Sequence, residues 1–106
     1  MDMANEKLVL STAGSREEAG SIARALVEER LAACVNVIGP IESTYRWQGK
    51  VENTAEFLLL AKTMAAKTES LIRRIRELHS YDVPEAIQIS VEGGNADYLR
   101  WIADSV

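Results

Sequence analysis

An α+β sandwich is what this 106-residue chain predicts, on three observations. Strand-patterned runs alternate with helix-patterned ones, two of the strand runs are adjacent and fold back on each other, and a last helix follows the last strand. The resulting order, β-α-β-β-α-β-α, is the split βαβ or ferredoxin-like pattern with a tail helix. One domain is expected over residues 7–106, after a frayed start over residues 1–6.

The first strand is Lys7-Leu8-Val9-Leu10-Ser11-Thr12, a short apolar run stopped at Ala13-Gly14. Ser15-Arg16-Glu17-Glu18 matches a capping box, in which Ser15 accepts a first-turn amide and Glu18 reaches back to it. The helix it opens carries Ala19, Ile22, Ala23, Leu26 and Val27 on one face and ends near Arg30-Leu31. A long ribbon follows from Cys34 to Lys62, folding back near Gln48-Gly49-Lys50. Gly39-Pro40 interrupts its first arm, because proline lacks a ladder donor. Beyond it Ile41, Ser43, Tyr45 and Trp47 share a face, and in the second arm Phe57 to Ala61 is continuously apolar, as in a strand covered on both sides.

A second helix spans about Ala65 to His79, with Leu71, Ile72, Ile75, Leu78 and His79 on its stripe, and Pro84 excludes further helix. Ile87, Ile89 and Val91 alternate with polar residues, which predicts a strand with one buried face. After Gly93-Gly94, Asn95 is an N-cap for a final helix bearing Tyr98, Leu99, Trp101 and Ile102.

The ribbon is too long for one globule. An arm of roughly fourteen residues reaches ~45 Å, whereas a domain of this size has a radius of gyration near ~13 Å. Another copy of the chain is the simplest cover, and Tyr45, Trp47 and Trp101 read as interface packing, where aromatic residues concentrate.

Composition narrows the function. The net charge of −4 and the lack of a basic block argue against nucleic acid. Arg73, Arg74 and Arg76 form the densest basic cluster and read as a solvated helix face. The first seven residues hold no apolar signal segment and no run approaches a bilayer span, so no membrane partner is expected. A single cysteine suits a reducing compartment, and the expectation is a soluble cytoplasmic protein. One Cys and one His cannot close a four-ligand zinc site within one chain, so any soft-metal site is weak or shared between chains. No nucleophile-base arrangement or phosphate loop is present, and an enzyme is not expected.

The candidate site is His79-Ser80-Tyr81-Asp82-Val83-Pro84-Glu85, which gathers an imidazole, a phenol and two carboxylates at a helix exit. It reads as a ligand pocket or hard-metal site. The alternative is structural, with His79 capping the helix and Pro84 setting the turn. Lys62 ends the apolar run and either pairs with Glu56 or Glu85, binds an anion, or snorkels. Cys34 reads as a small hydrophobe, reactive only if exposed beside a cation.

These residues together resemble the CutA family of divalent-cation tolerance proteins. The resemblance is carried by Ala32-Ala33-Cys34-Val35-Asn36, by Ser43-Thr44-Tyr45-Arg46-Trp47-Gln48-Gly49-Lys50, and by Glu56 with Lys62-Thr63. It continues through His79 with Tyr81, Pro84-Glu85, and Tyr98-Leu99-Arg100-Trp101-Ile102. It implies a ferredoxin-like fold assembled as a homotrimer, akin in outline to PII signalling proteins, and a role in tolerance of divalent metals, copper in particular. No obligatory cofactor is implied. His79 and Glu85 are the metal candidates, and Glu56, Lys62, Tyr81 and Glu85 are expected to line an inter-subunit cleft. Two positions depart from the family pattern: Ser80 replaces the proline of His-Pro-Tyr, and Ser11 and Leu78 stand where some members offer copper a cysteine and a second histidine. The alternatives to a metal-response protein are a PII-like sensor of a small molecule or anion, and a trimeric scaffold for a partner protein.

Overall fold

The computed structural model describes residues 5–106. The elements run β1 (Glu6–Ala13), α1 (Arg16–Glu28), β2 (Cys34–Trp47), β3 (Lys50–Met64), α2 (Thr68–Leu78), β4 (Ile87–Ser90) and α3 (Ala96–Ser105), with a 3₁₀ turn, Ala65–Lys67, leading into α2. The strands form one antiparallel sheet in the order β2-β3-β1-β4. The element order is the one the sequence predicts. Of the expected frayed start, residues 1–4 lie outside the described residues, while Glu6 already pairs with Met64.

Directly opposed residues share a face of an antiparallel sheet, so the registers sort every side chain. Val9 and Ala13 of β1 and Leu59 and Ala61 of β3 point to one face, where Ala19, Ile22 and Leu26 of α1 and Leu71 and Ile75 of α2 close the core. Ser11 is buried on this same face, and its hydroxyl finds no partner among the described residues. Leu8, Leu10, Leu58 and Leu60 point to the other face, which α3 covers in part through the buried Ile102. Ile87 and Ile89 pair with Leu10 and Leu8 on that second face. They are 53% and 43% exposed, so β4 does not bury the face its alternation predicts.

The N-terminal cap of α1 forms only half of the expected box. Ser15 Oγ accepts the Glu18 amide at 3.1 Å, but the Glu18 carboxylate turns to the chain after α2 and accepts from Ser80 instead. Asn95 caps α3 as predicted, accepting the amides of Asp97 and Tyr98.

The ribbon is the long dimension of the molecule, 47 × 25 × 22 Å. Trp47 pairs with Lys50 across a two-residue turn in which Gln48 and Gly49 both have positive φ, 50° and 81°, the geometry that matches strand twist. Lower down, the register slips. Ile38 faces Leu58 and Ile41 faces Glu56, so Gly39 and Pro40 together oppose Phe57. This β-bulge reverses the pleat and turns Ile41, Ser43, Tyr45 and Trp47 onto the face of Glu56 and Leu58. Proline is tolerated because β2 is an edge strand. Gly39 is required for contact: a Cβ there would lie 2.6 Å from Phe57 Cδ2 and 3.1 Å from the Glu56 carbonyl.

Two glycine substitutions separate these roles. Gly39→Ala forces Phe57 to shift and is expected to cost about 1–3 kcal/mol. Gly20→Ala, inside α1 with no heavy atom within 4 Å of the added carbon, is expected to stabilise by about 0.5–1 kcal/mol. Urea denaturation of both variants measures the difference.

Candidate functional site

The reversed pleat makes one side of a groove of about 590 Å³ at the end of the sheet that α3 leaves open. Thr12 of β1 and Glu56 of β3 lie at its base, and Ser43, Tyr45 and Trp47 rise along β2. The segment after α2 closes the opposite side with Tyr81, Asp82, Val83 and Glu85.

That segment has no secondary structure of its own and is held by side chains. The Tyr81 amide donates to His79 Nδ1 at 3.1 Å. This leaves the proton on Nε2, which donates to the Thr12 carbonyl at 2.7 Å. The imidazole is thus a strut between β1 and the loop, with its side chain wholly buried. It ends α2, as the structural reading expects, but its ring turns to β1 rather than back to the helix carbonyls. A metal would have to displace one of its two hydrogen bonds. Next to it, Glu18 accepts from the Ser80 amide at 2.8 Å and from the Ser80 hydroxyl at 3.1 Å. Burial pushes the Glu18 carboxyl up, but the Ser80 hydrogen bonds and the Gly14 amide outweigh it and hold the group below its ordinary value.

Tyr81 carries the link onward. Its ring packs against His79 with centroids 4.6 Å apart, and its hydroxyl donates to Glu56 Oε2 at 2.8 Å. Gly14 leaves room for the phenol: a Cβ there would sit 3.1 Å from the hydroxyl. Burial, then the hydrogen bond and charge of Glu56, push the phenol up to about 12. Glu56 is only 7% exposed.

Of the residues expected to share a cleft, Glu56, Tyr81 and Glu85 do line one groove, whereas Lys62 does not. Lys62 stands farther along β3, where its ammonium bonds Asn36 Oδ1, lies 4.0 Å from Cys34 Sγ and 6.0 Å from the Tyr98 ring centroid. Within the chain it pairs with neither Glu56 nor Glu85. The cation beside Cys34 comes from the paired strand and not from a sequence neighbour. His79 lies behind the groove wall and Glu85 on its exposed surface, and among the described residues no three His, Cys, Asp or Glu side chains converge as a metal cluster. Tyr45 and Trp47 are exposed along the groove, and Trp101 is exposed on α3, tilted against Tyr98. Sequence reasoning missed Thr12, Ser43 and Glu18. Ser43 was legible from its spacing with Tyr45 and Trp47; Thr12 and Glu18 enter only through partners 67 and 62 residues away.

Residues 7–105 match the family described as CutA1 divalent ion tolerance protein. The chain is 47% identical to the divalent-cation tolerance protein CutA of Thermus thermophilus, over 94% of its own length and 97% of the relative's. It is 42% identical to the chloroplastic protein CutA of Arabidopsis thaliana, over 92% of its length but 54% of that longer relative. The crystal structure of CutA from Xylella fastidiosa superposes with a TM-score of 0.93 at 46% identity, covering 95% of this chain and 97% of the other.

Tyr81→Phe leaves the buried Glu56 carboxylate without its donor, a loss of about 1–3 kcal/mol. Because the folded phenol lies above its ordinary 10.0, its stabilisation is whole below that pH and is lost as pH rises towards about 12. Denaturation profiles across that interval should fall for the wild type, and the step should be missing in Tyr81→Phe.

Proposed function

The chain belongs to the CutA1 divalent ion tolerance family, and from that premise we propose that it is a non-catalytic, trimeric cytoplasmic protein of divalent-metal tolerance. Its groove takes cations weakly, copper among them, at a cleft between copies. The observation that carries this reading is the lining of the groove: Glu56, Asp82 and Glu85 contribute carboxylates, and no lysine or arginine lines it. Glu85 and Asp82 meet a hydrated divalent ion from the exposed side, which accords with weak binding through oxygen ligands. His79 serves it by holding the loop. Trimerisation is supported by the apolar side chains left exposed on one face of the sheet, Ile38, Ile87 and Ile89, by the exposed Trp101 of α3, and by a ribbon that outruns its own core. The single free Cys34 accords with a reducing compartment.

A PII-like sensor is the second reading. A cavity of about 590 Å³ is of the size that holds a small organic ligand. The scaffold reading, with a heterologous partner, has no comparable feature in its favour.

Light scattering is expected to give three times the mass of the chain, and a monomer would refute the trimer. Isothermal titration with copper and zinc is expected to show binding that weakens about tenfold, or 1.4 kcal/mol, in Glu85→Gln. Unchanged isotherms in that variant would remove the groove as the metal site.

A further inference from the structure

Three properties of the groove bear on what else it accepts, given the reading that it is the ligand site. It is far larger than a bare ion needs, at about 590 Å³, and its carboxylates are spread along it without converging on a point. Its remaining surface holds three aromatic rings, Tyr45, Trp47 and Tyr81, beside Thr12, Ser43, Thr44 and Val83. Its innermost acid is half-used: Glu56 Oε2 accepts the Tyr81 hydroxyl, while no donor among the described residues reaches Oε1.

A carboxylate oxygen with an open lone pair, on a side chain as largely buried as Glu56, calls for an N–H donor, and a charged donor forms the stronger bond. Aromatic faces attract the same charge through their quadrupoles and shelter an apolar body behind it. A naked divalent ion uses neither the volume nor the rings. An anion meets three carboxylates and no cation. We infer that the groove binds a protonated organic amine, its ammonium on Glu56 Oε1 and its apolar part between Trp47 and Tyr81. Glu85, exposed at the mouth, attracts the cation electrostatically. The ammonium must carry N–H bonds, so a quaternary analogue satisfies the rings but not Glu56.

The test uses 2-phenylethylammonium as the probe, with 2-phenylethanol as its uncharged counterpart and the N,N,N-trimethyl derivative as the counterpart without N–H donors. Trp101→Phe leaves Trp47 as the only tryptophan, so saturable change in its fluorescence reports the groove. The primary ammonium is expected to saturate the signal and both counterparts to bind about tenfold more weakly or worse, the loss of one charge-assisted hydrogen bond. Glu56→Gln should remove the preference for the primary ammonium over its trimethyl counterpart and shrink its preference over the alcohol. Glu85→Gln, at an exposed position, should weaken both cationic probes and leave the alcohol unchanged. Equal binding of the alcohol, or no saturable response to the ammonium, overturns the assignment. Zinc titrated into the same samples separates the two readings: zinc binding that depends on Glu85 with no response to the amine keeps the groove as a cation site and removes the amine. No response to either removes both.

Discussion

One slip of register governs this molecule. Because Gly39 and Pro40 together face Phe57, every residue of β2 beyond them changes sides. Without the extra residue, Ser43, Tyr45 and Trp47 would lie on the side of the helices, past the end of the core, and the far face of the sheet would have no aromatic wall. The slip depends in turn on a side chain that is missing. Phe57 occupies the space where a Cβ of Gly39 would stand, and Arg16 lies over the same ring at 4.8 Å while donating to the Gly39 carbonyl at 3.3 Å. The start of α1 therefore braces the bend in the ribbon.

The opposite wall is fixed by a relay of hydrogen bonds between segments distant in sequence. The Thr12 carbonyl, the His79 imidazole, the Tyr81 amide and hydroxyl, and Glu56 join β1 to β3 through the loop. Glu18 clamps the same loop from α1. Each such bond contributes only about 0.5–1.5 kcal/mol net, but every buried group left unpaired costs more than that. The relay thus stabilises less than it specifies. It holds a segment without regular structure at one distance from the reversed pleat, and that distance is the width of the groove.

Burial is divided unequally between the faces of the sheet. The side under α1 and α2 is a dense core of small and branched residues. The other side carries Leu8, Leu10, Leu58 and Leu60 only partly covered, with Ile38, Ile87 and Ile89 open. Apolar surface of this kind is a driving force for association, and it adjoins the groove. A ligand site and an oligomer interface on one face would share residues, so occupancy and assembly would be linked thermodynamically.

What the sequence determined by itself is everything that depends on near neighbours. Periodicity of 3.6 or 2 places the helices and strands, Ser15 and Asn95 start their helices, and Gln48-Gly49 closes the ribbon, because each of these is settled within a few residues. The cluster from His79 to Glu85 was also legible, as a concentration of polar chemistry at a helix exit. Tertiary structure alone decided which of those groups meet. Lys62 and Glu56 look like partners on one strand, yet Lys62 is drawn across β2 to Asn36 and Glu56 to Tyr81. Ile87 and Ile89 alternate as a buried strand does, yet lie on the face that α3 only partly covers. The difference is physical: local pattern sets the direction of each side chain relative to its own backbone. Strand order, and a single bulged register, set what stands opposite it.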